Sequence, residues 1–132
     1  MPLMIVRMEL ARSEGFPSGS HKHGYEFVAP LTSEGHLDAE AWREARAECR
    51  VRRFWGNEEE VGLLRHVGRG WRFDYDTHAR NDDEPFFKLD RHPILVGEYL
   101  SVTEHDGVQR PFKVVAIVPK KGRTPDSVAH SG

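Results

Sequence analysis

Hydrophobic and polar residues alternate along several short stretches of this chain, which is the pattern of strands that bury one face. In the first stretch, 3–10, the even-numbered residues are apolar, whereas Arg7 and Glu9 lie between them. In a second stretch, 25–31, the odd-numbered residues are apolar. The segment between them is rich in Gly, Ser and Pro, so we expect a loop that ends just before a strand beginning near Tyr25.

One helix is predicted at about residues 39–48. Asp38 suits the N-cap position, because its carboxylate can accept a hydrogen bond from the first turn. Trp42, Ala45 and Cys49 recur at helical spacing and form one apolar face. We expect this face to pack on a sheet and the opposite face, which is rich in arginine, to point to solvent.

The rest of the chain predicts strands near 49–55, 60–67 and 70–76, and two more within 92–119. The last two are separated by Asp106 and Gly107, a pair typical of tight hairpin turns. The chain contains too little helix for the crossovers of a parallel sheet. We therefore predict a mostly β (α+β) fold: a small, partly open, barrel-like antiparallel sheet with one short helix packed on it.

Composition agrees with one globular domain, predicted at 1–119, followed by a polar tail at 120–132 that we expect to be disordered. The 132 residues are 38% hydrophobic and 30% charged, and a chain of this length buries about two-thirds of its unfolded surface. The formal net charge of -2 means that nucleic-acid binding would need a local basic patch. A single cysteine and the lack of a long apolar segment predict a cytoplasmic protein that does not enter a membrane.

Several segments together resemble a conserved bacterial protein family of the kind described as a domain of unknown function. The segments are GYEFVAPL, the helix from Asp38, RFW, WRFDYD, DDEP, GEYLSV and FKVVAIV, spread over about 25–118. The resemblance implies a bacterial cytoplasmic protein. It carries no catalytic or binding residue that could be assigned to a position of this chain.

A metal-dependent enzyme or a metal-binding protein is one hypothesis for function. Asp74, Asp76 and His78 occupy alternate positions and would share a face if their strand continued that far. Two carboxylates and an imidazole can hold a divalent metal and leave positions for water and substrate. His21 and His23 could complete the site from the predicted loop. The alternative is that these residues form the solvated face of an amphipathic strand.

The first hypothesis for function is a small non-enzymatic protein-binding or regulatory module, whose partner is another protein or a second copy of the chain. The sequence contains no recognisable catalytic motif, whereas aromatic residues and arginine, which anchor protein interfaces, are frequent. The candidate partner-binding residues are Arg50, Arg52, Phe54, Trp55, Phe86 and Phe87.

The same arginine-rich segment supports a third hypothesis, a nucleic-acid-binding barrel. Arg50, Arg52 and Arg53 could contact phosphates while the neighbouring aromatic rings stack on bases. The acidic residues at 58–60 would reduce the field of such a patch.

Overall fold

A computed structural model of the chain describes residues 2–67, 70–75, 86–87, 93–103 and 107–120. Its α-helix, α1 (Ala39–Ala45), continues as a short 3₁₀ helix, Arg46–Glu48. The strands are β1 (Leu3–Leu10), β2 (Ser20–Pro30), β3 (Arg50–Trp55), β4 (Glu58–Val67), β5 (Gly70–Tyr75), β6 (Phe86–Phe87), β7 (Tyr99–Thr103) and β8 (Gln109–Pro119).

The strands form an up-and-down antiparallel barrel. Each strand pairs with the next one along the chain, and β8 returns to pair with β1. Strand pairing is shortest at β6, which is joined to β5 by two residue pairs and to β7 by two more. The prediction of a mostly β, barrel-like antiparallel sheet with one short helix is confirmed.

Large side chains from alternating strand positions fill the barrel. The rings of Tyr25 and Phe73 are stacked with centroids 5.0 Å apart, and Phe112 contacts Tyr25 at 5.1 Å. These three residues and Phe27 are almost completely buried. An eight-stranded barrel is just wide enough for side chains to fill its middle, so ligand chemistry is expected at its ends.

The helix packs over one end of the barrel, which we call the apolar end. Asp38 caps α1 as predicted, since its Oδ1 accepts a hydrogen bond from the Ala41 N–H at 3.0 Å. The α-helix ends at Ala45, and the rest of the predicted helix is the 3₁₀ turn. The Trp42 indole donates to the Leu64 carbonyl oxygen at 2.9 Å. No helix among the described residues is long and apolar enough to cross a membrane.

The second strand begins earlier than the sequence predicts. β2 starts at Ser20, not near Tyr25, and its first residues belong to a bulge: Glu9 pairs with Gly24, but Leu10 already pairs with Ser20. A side chain at Gly24 would collide with the Met8 carbonyl oxygen. Composition suggested a loop here because glycine and serine are typical of turns, yet a glycine at position 24 is also what this close approach of two strands requires.

The C-terminal hairpin is confirmed as an antiparallel pair of strands, but its connection is longer than a two-residue turn. Thr103 pairs with Gln109, so residues 104–108 join β7 to β8. Gly107 has a φ of 84°, which suits glycine, whereas Asp106 lies outside the described residues. Lys120, the first residue of the predicted tail at 120–132, donates its N–H to the Leu3 carbonyl oxygen at 2.8 Å, and residues 121–132 lie outside the described residues.

Candidate functional site

Polar and aromatic side chains point inward at the end of the barrel opposite α1. Here β3 and β5 end at Trp55 and Tyr75, and β8 begins at Gln109. We call this region the polar end and define it by its inward-facing side chains and one loop residue: Phe16, His23, Arg53, Trp55, Glu60, Tyr75 and Arg110.

Trp55 lies at the centre of the polar end. It pairs with His23 across β2 and β3, and the two rings meet edge to face with centroids 4.5 Å apart. Phe16, from the loop between β1 and β2, contacts the His23 ring at 4.9 Å. The Nδ1 atom of His23 lies 2.7 Å from Ser20 Oγ, a hydrogen bond that fixes the imidazole. The indole is therefore held in place on one side by ordered aromatic neighbours.

Two guanidinium groups lie against the same indole. The central carbon of Arg53 is 4.3 Å from the Trp55 ring centroid, and that of Arg110 is 5.6 Å from it. Both distances are within the range of cation–π attraction. Arg53 and Trp55 are two residues apart on β3 and so lie on the same face of that strand. Arg110 comes from β8, where it pairs with the buried Val102. The Arg53 side chain is only 12% exposed, so its charge lies largely out of water.

Glu60 and Tyr75 complete the polar end. Glu60 pairs with Arg53 across β3 and β4, and its Oε1 lies 3.9 Å from Arg53 Nη1. This distance is longer than that of a charge-assisted hydrogen bond, about 2.8 Å. Burial raises the pKa of Tyr75 well above its ordinary value, with a further contribution from Tyr25. The phenol therefore stays protonated at neutral pH.

This set of groups suits the binding of an anion. Guanidinium N–H groups form paired hydrogen bonds to carboxylate or phosphate oxygens, and a guanidinium plane can stack on an aromatic ring at the same time. Nucleophilic chemistry has less support. Cys49 is fully buried, and burial, with the Glu48 charge, raises the pKa of its thiol to about 11. A neutral, buried thiol is unreactive.

The four predicted partner-binding residues on β3 do not share one face of the strand. Trp55 points into the barrel, whereas Arg50, Arg52 and Phe54 lie on the outside of β3. Phe54 is nonetheless only 8% exposed, because the guanidinium groups of Arg7 and Arg52 cover its ring at 4.4 and 5.0 Å. Arg50 is exposed. Phe86 and Phe87 form β6, and their side chains lie outside the described part of the chain.

The arginines predicted to contact nucleic acid are also separated. Arg53 faces inward, and Arg52 pairs with Glu26 at 3.0 Å and with Glu59 at 3.1 Å. Arg7 continues this outer network, since its Nη1 lies 3.9 Å from Glu26 Oε2. Charges of opposite sign thus alternate across the outside of β1 to β4, which lowers the local positive potential.

The predicted metal ligands are only partly described. Asp74 points outward from β5, and its Oδ2 accepts a hydrogen bond from Arg65 at 2.8 Å; Asp76 and His78 lie outside the described residues. His21 lines an open depression of about 730 Å³, whereas His23 packs on Trp55 at the polar end. Among the described residues, no three His, Cys, Asp or Glu side chains are grouped closely enough to hold a metal ion.

Sequence reasoning missed Arg110, Tyr75 and Phe16 as parts of the site. The sequence does indicate that Arg53 and Trp55 lie side by side, because residues two apart on a strand share a face. Arg110 has no such signal, since only closure of β8 on β1 brings it to the same ring.

Comparison of the chain with protein-family models, with curated proteins and with solved structures finds no match. Function is therefore inferred from the geometry of this chain alone.

Proposed function

We propose that this chain is a binding module whose polar end holds an anionic group of its ligand, a carboxylate or a phosphate. The observation that carries the proposal is the convergence of Arg53 and Arg110, from distant strands, on Trp55. The proposal gives a defined chemistry to the hypothesis of a binding or regulatory module.

Electrostatics favours an anion between these two arginines. Two like charges near one ring repel each other, and the repulsion is stronger where water is partly excluded, as it is around the Arg53 side chain. An anion that lies beside them and contacts one or both guanidinium groups offsets this repulsion. The cation–π contacts with Trp55 orient the guanidinium groups of Arg53 and Arg110 before the anion binds, so less conformational entropy is lost on binding.

The neighbouring polar groups fit this role. The neutral Tyr75 phenol is buried, within the electrostatic influence of Arg53, and carries a hydrogen-bond donor that an ionised phenolate would lack. Glu60 contributes one carboxylate near Arg53, so it limits the positive potential and favours small anions over long polyanions.

The test is a titration of the protein with inorganic phosphate and, separately, with a small dicarboxylate, followed by calorimetry and tryptophan fluorescence. Trp55 is the reporter, because Trp42 and Trp71 lie at the apolar end. The two ligands distinguish a phosphate site from a carboxylate site. We expect saturable binding of at least one of them.

Three arginine variants locate the site. Arg53→Gln and Arg110→Gln should each weaken binding by about tenfold or more, the usual effect of losing a charged hydrogen-bond partner. Arg50→Gln, on the outside of the same strand, is the matched control and should leave binding unchanged. Absence of binding to the wild-type protein, or equal loss in the control variant, would refute the proposal.

A further inference from the structure

The outward-facing residues of β4 have an unusual order of charge. From the polar end to the apolar end they are Glu59, Val61, Leu63 and Arg65. Val61 and Leu63 are 43% and 38% exposed, and the charged side chains that flank them are about half exposed. An acid therefore precedes, and a base follows, an exposed apolar pair.

A two-fold rotation about an axis that crosses β4 between Val61 and Leu63 makes this row complementary to itself. The rotation reverses the strand, so Glu59 of one copy faces Arg65 of the other, and Val61 faces Leu63. Each contact then occurs twice, as in every symmetric two-fold interface. We infer that the outer face of β4 binds a second copy of this chain in this antiparallel orientation.

Ion pairs within each copy orient the charges for this contact. Arg52 Nη1 lies 3.1 Å from Glu59 Oε2, and Arg65 Nη1 lies 2.8 Å from Asp74 Oδ2. When two copies meet, Glu59 of the first copy comes between its own Arg52 and Arg65 of the second copy. The result is a row of four charges of alternating sign, which is more favourable than two separate pairs.

The size of the contact sets its strength. The outside of a barrel is convex, so β3 and β5 curve away from the second copy and the contact stays centred on β4. The same curvature keeps Arg50 and Arg52 of β3 apart from their counterparts. An interface of this kind falls below about 1,200 Å², the class of weak and transient complexes. It lies outside the barrel and is independent of anion binding at the polar end.

The experiment is sedimentation equilibrium of the full chain at concentrations up to about 1 mM, where weak complexes associate. The average mass should rise with concentration from 15.1 kDa towards twice that value. Glu59→Arg and Arg65→Glu should each abolish the rise, because each places like charges together at both contacts. Glu58→Arg is the control, because it makes the same change of charge at a residue that does not belong to the outward-facing row of β4. This variant should still show the rise in average mass.

Mixing the two single variants is the decisive step. In Glu59→Arg both charged positions of the β4 row are basic, and in Arg65→Glu both are acidic. A mixed dimer therefore has two contacts between opposite charges, so the mixture should recover the mass increase that neither variant shows alone. The double variant Glu59→Arg/Arg65→Glu should recover it as well. A wild-type chain that stays monomeric, or a mixture that stays monomeric, would overturn the inference. The three substituted residues, Glu58, Glu59 and Arg65, are exposed, and circular dichroism of each variant checks that the fold is intact.

Discussion

The two ends of the barrel are each organised around tryptophan, yet the charged groups beside the rings differ in their exposure. At the apolar end the Trp42 and Trp71 rings meet at 5.8 Å, and the Trp42 N–H is satisfied by a backbone carbonyl. At the polar end Trp55 meets an imidazole and two guanidinium groups. The Trp42 ring also has His66 and Arg46 beside it, but Arg46 is exposed to solvent, whereas Arg53 is only 12% exposed. The two ends therefore differ in how far a charge beside the indole is removed from water.

This difference separates stability from binding. Burial of an apolar ring stabilises the fold in proportion to the area removed from water, whereas partial burial of a charge such as that of Arg53 costs free energy. A protein that gathers charges at one end gives up some stability there. We therefore expect substitutions at the apolar end to lower the free energy of unfolding, and substitutions at the polar end to lower anion affinity.

The largest expected effect comes from removing the two tryptophans one at a time. Trp42→Ala should lower the free energy of unfolding by about 3–5 kcal/mol, because it leaves a cavity beside Trp71 and an unsatisfied Leu64 carbonyl oxygen. Trp55→Ala should cost roughly half as much, since its ring is only half-buried, but it should weaken anion binding. Urea unfolding and calorimetry measure both quantities, and an equal or larger stability loss in Trp55→Ala would contradict the assignment of roles.

The next effect is a loss of stability at alkaline pH. Burial raises the pKa of the Cys49 thiol from 9.0 to about 11, so the folded state favours the neutral thiol. Its stabilising contribution is complete below pH 9 and is lost as the pH rises to 11, a total of about 3 kcal/mol. Tyr75 has a raised pKa as well and acts with the same sign above pH 10. The measurement is urea unfolding at several pH values between 7.5 and 11.

A variant separates these two buried acids. Cys49→Ala should remove the decrease that begins near pH 9 and keep the one that begins above pH 10. If this variant showed the same pH dependence as the wild-type protein over the whole range, burial of the thiol would not be its cause.

The smallest effect concerns the helix that covers the apolar end. Asp38→Ala removes the hydrogen bond from Oδ1 to the Ala41 N–H and should cost about 1 kcal/mol, the usual value for an N-cap. Glu40→Ala, in the first turn of the same helix, is a matched control with a smaller expected cost. Neither substitution should change anion affinity, and a change in affinity would show that the two ends are coupled.

Local patterns in the sequence were sufficient to predict most of the fold. Trp71, Phe73 and Tyr75 alternate with polar residues, and all three point into the barrel because strand periodicity determines the face of each residue. The cap at Asp38 was predictable for the same local reason. The bulge at the start of β2 was not, since it depends on how Glu9 and Leu10 pair across the sheet.

The functional surfaces depend on contacts between distant strands, so the sequence predicted them less well. An outward-facing phenylalanine such as Phe54 resembles an interface residue, but Arg7 from β1 covers its ring, and Gly24 on β2 leaves space beside it. Arg110 joins Trp55 only because the barrel closes. The opposite charges on β4 were visible in the sequence, but their meaning requires knowing that they share the outer face.

The most direct test of the anion-binding proposal is a proton–nitrogen NMR titration with phosphate and with a dicarboxylate, in which the three indole N–H signals are followed together. We predict that the Trp55 signal shifts in a saturable manner while the signals of Trp42 and Trp71 stay unchanged, and that Arg53→Gln removes the shift. Equal shifts of all three signals, or no shift of the Trp55 signal with either anion, would contradict the proposal.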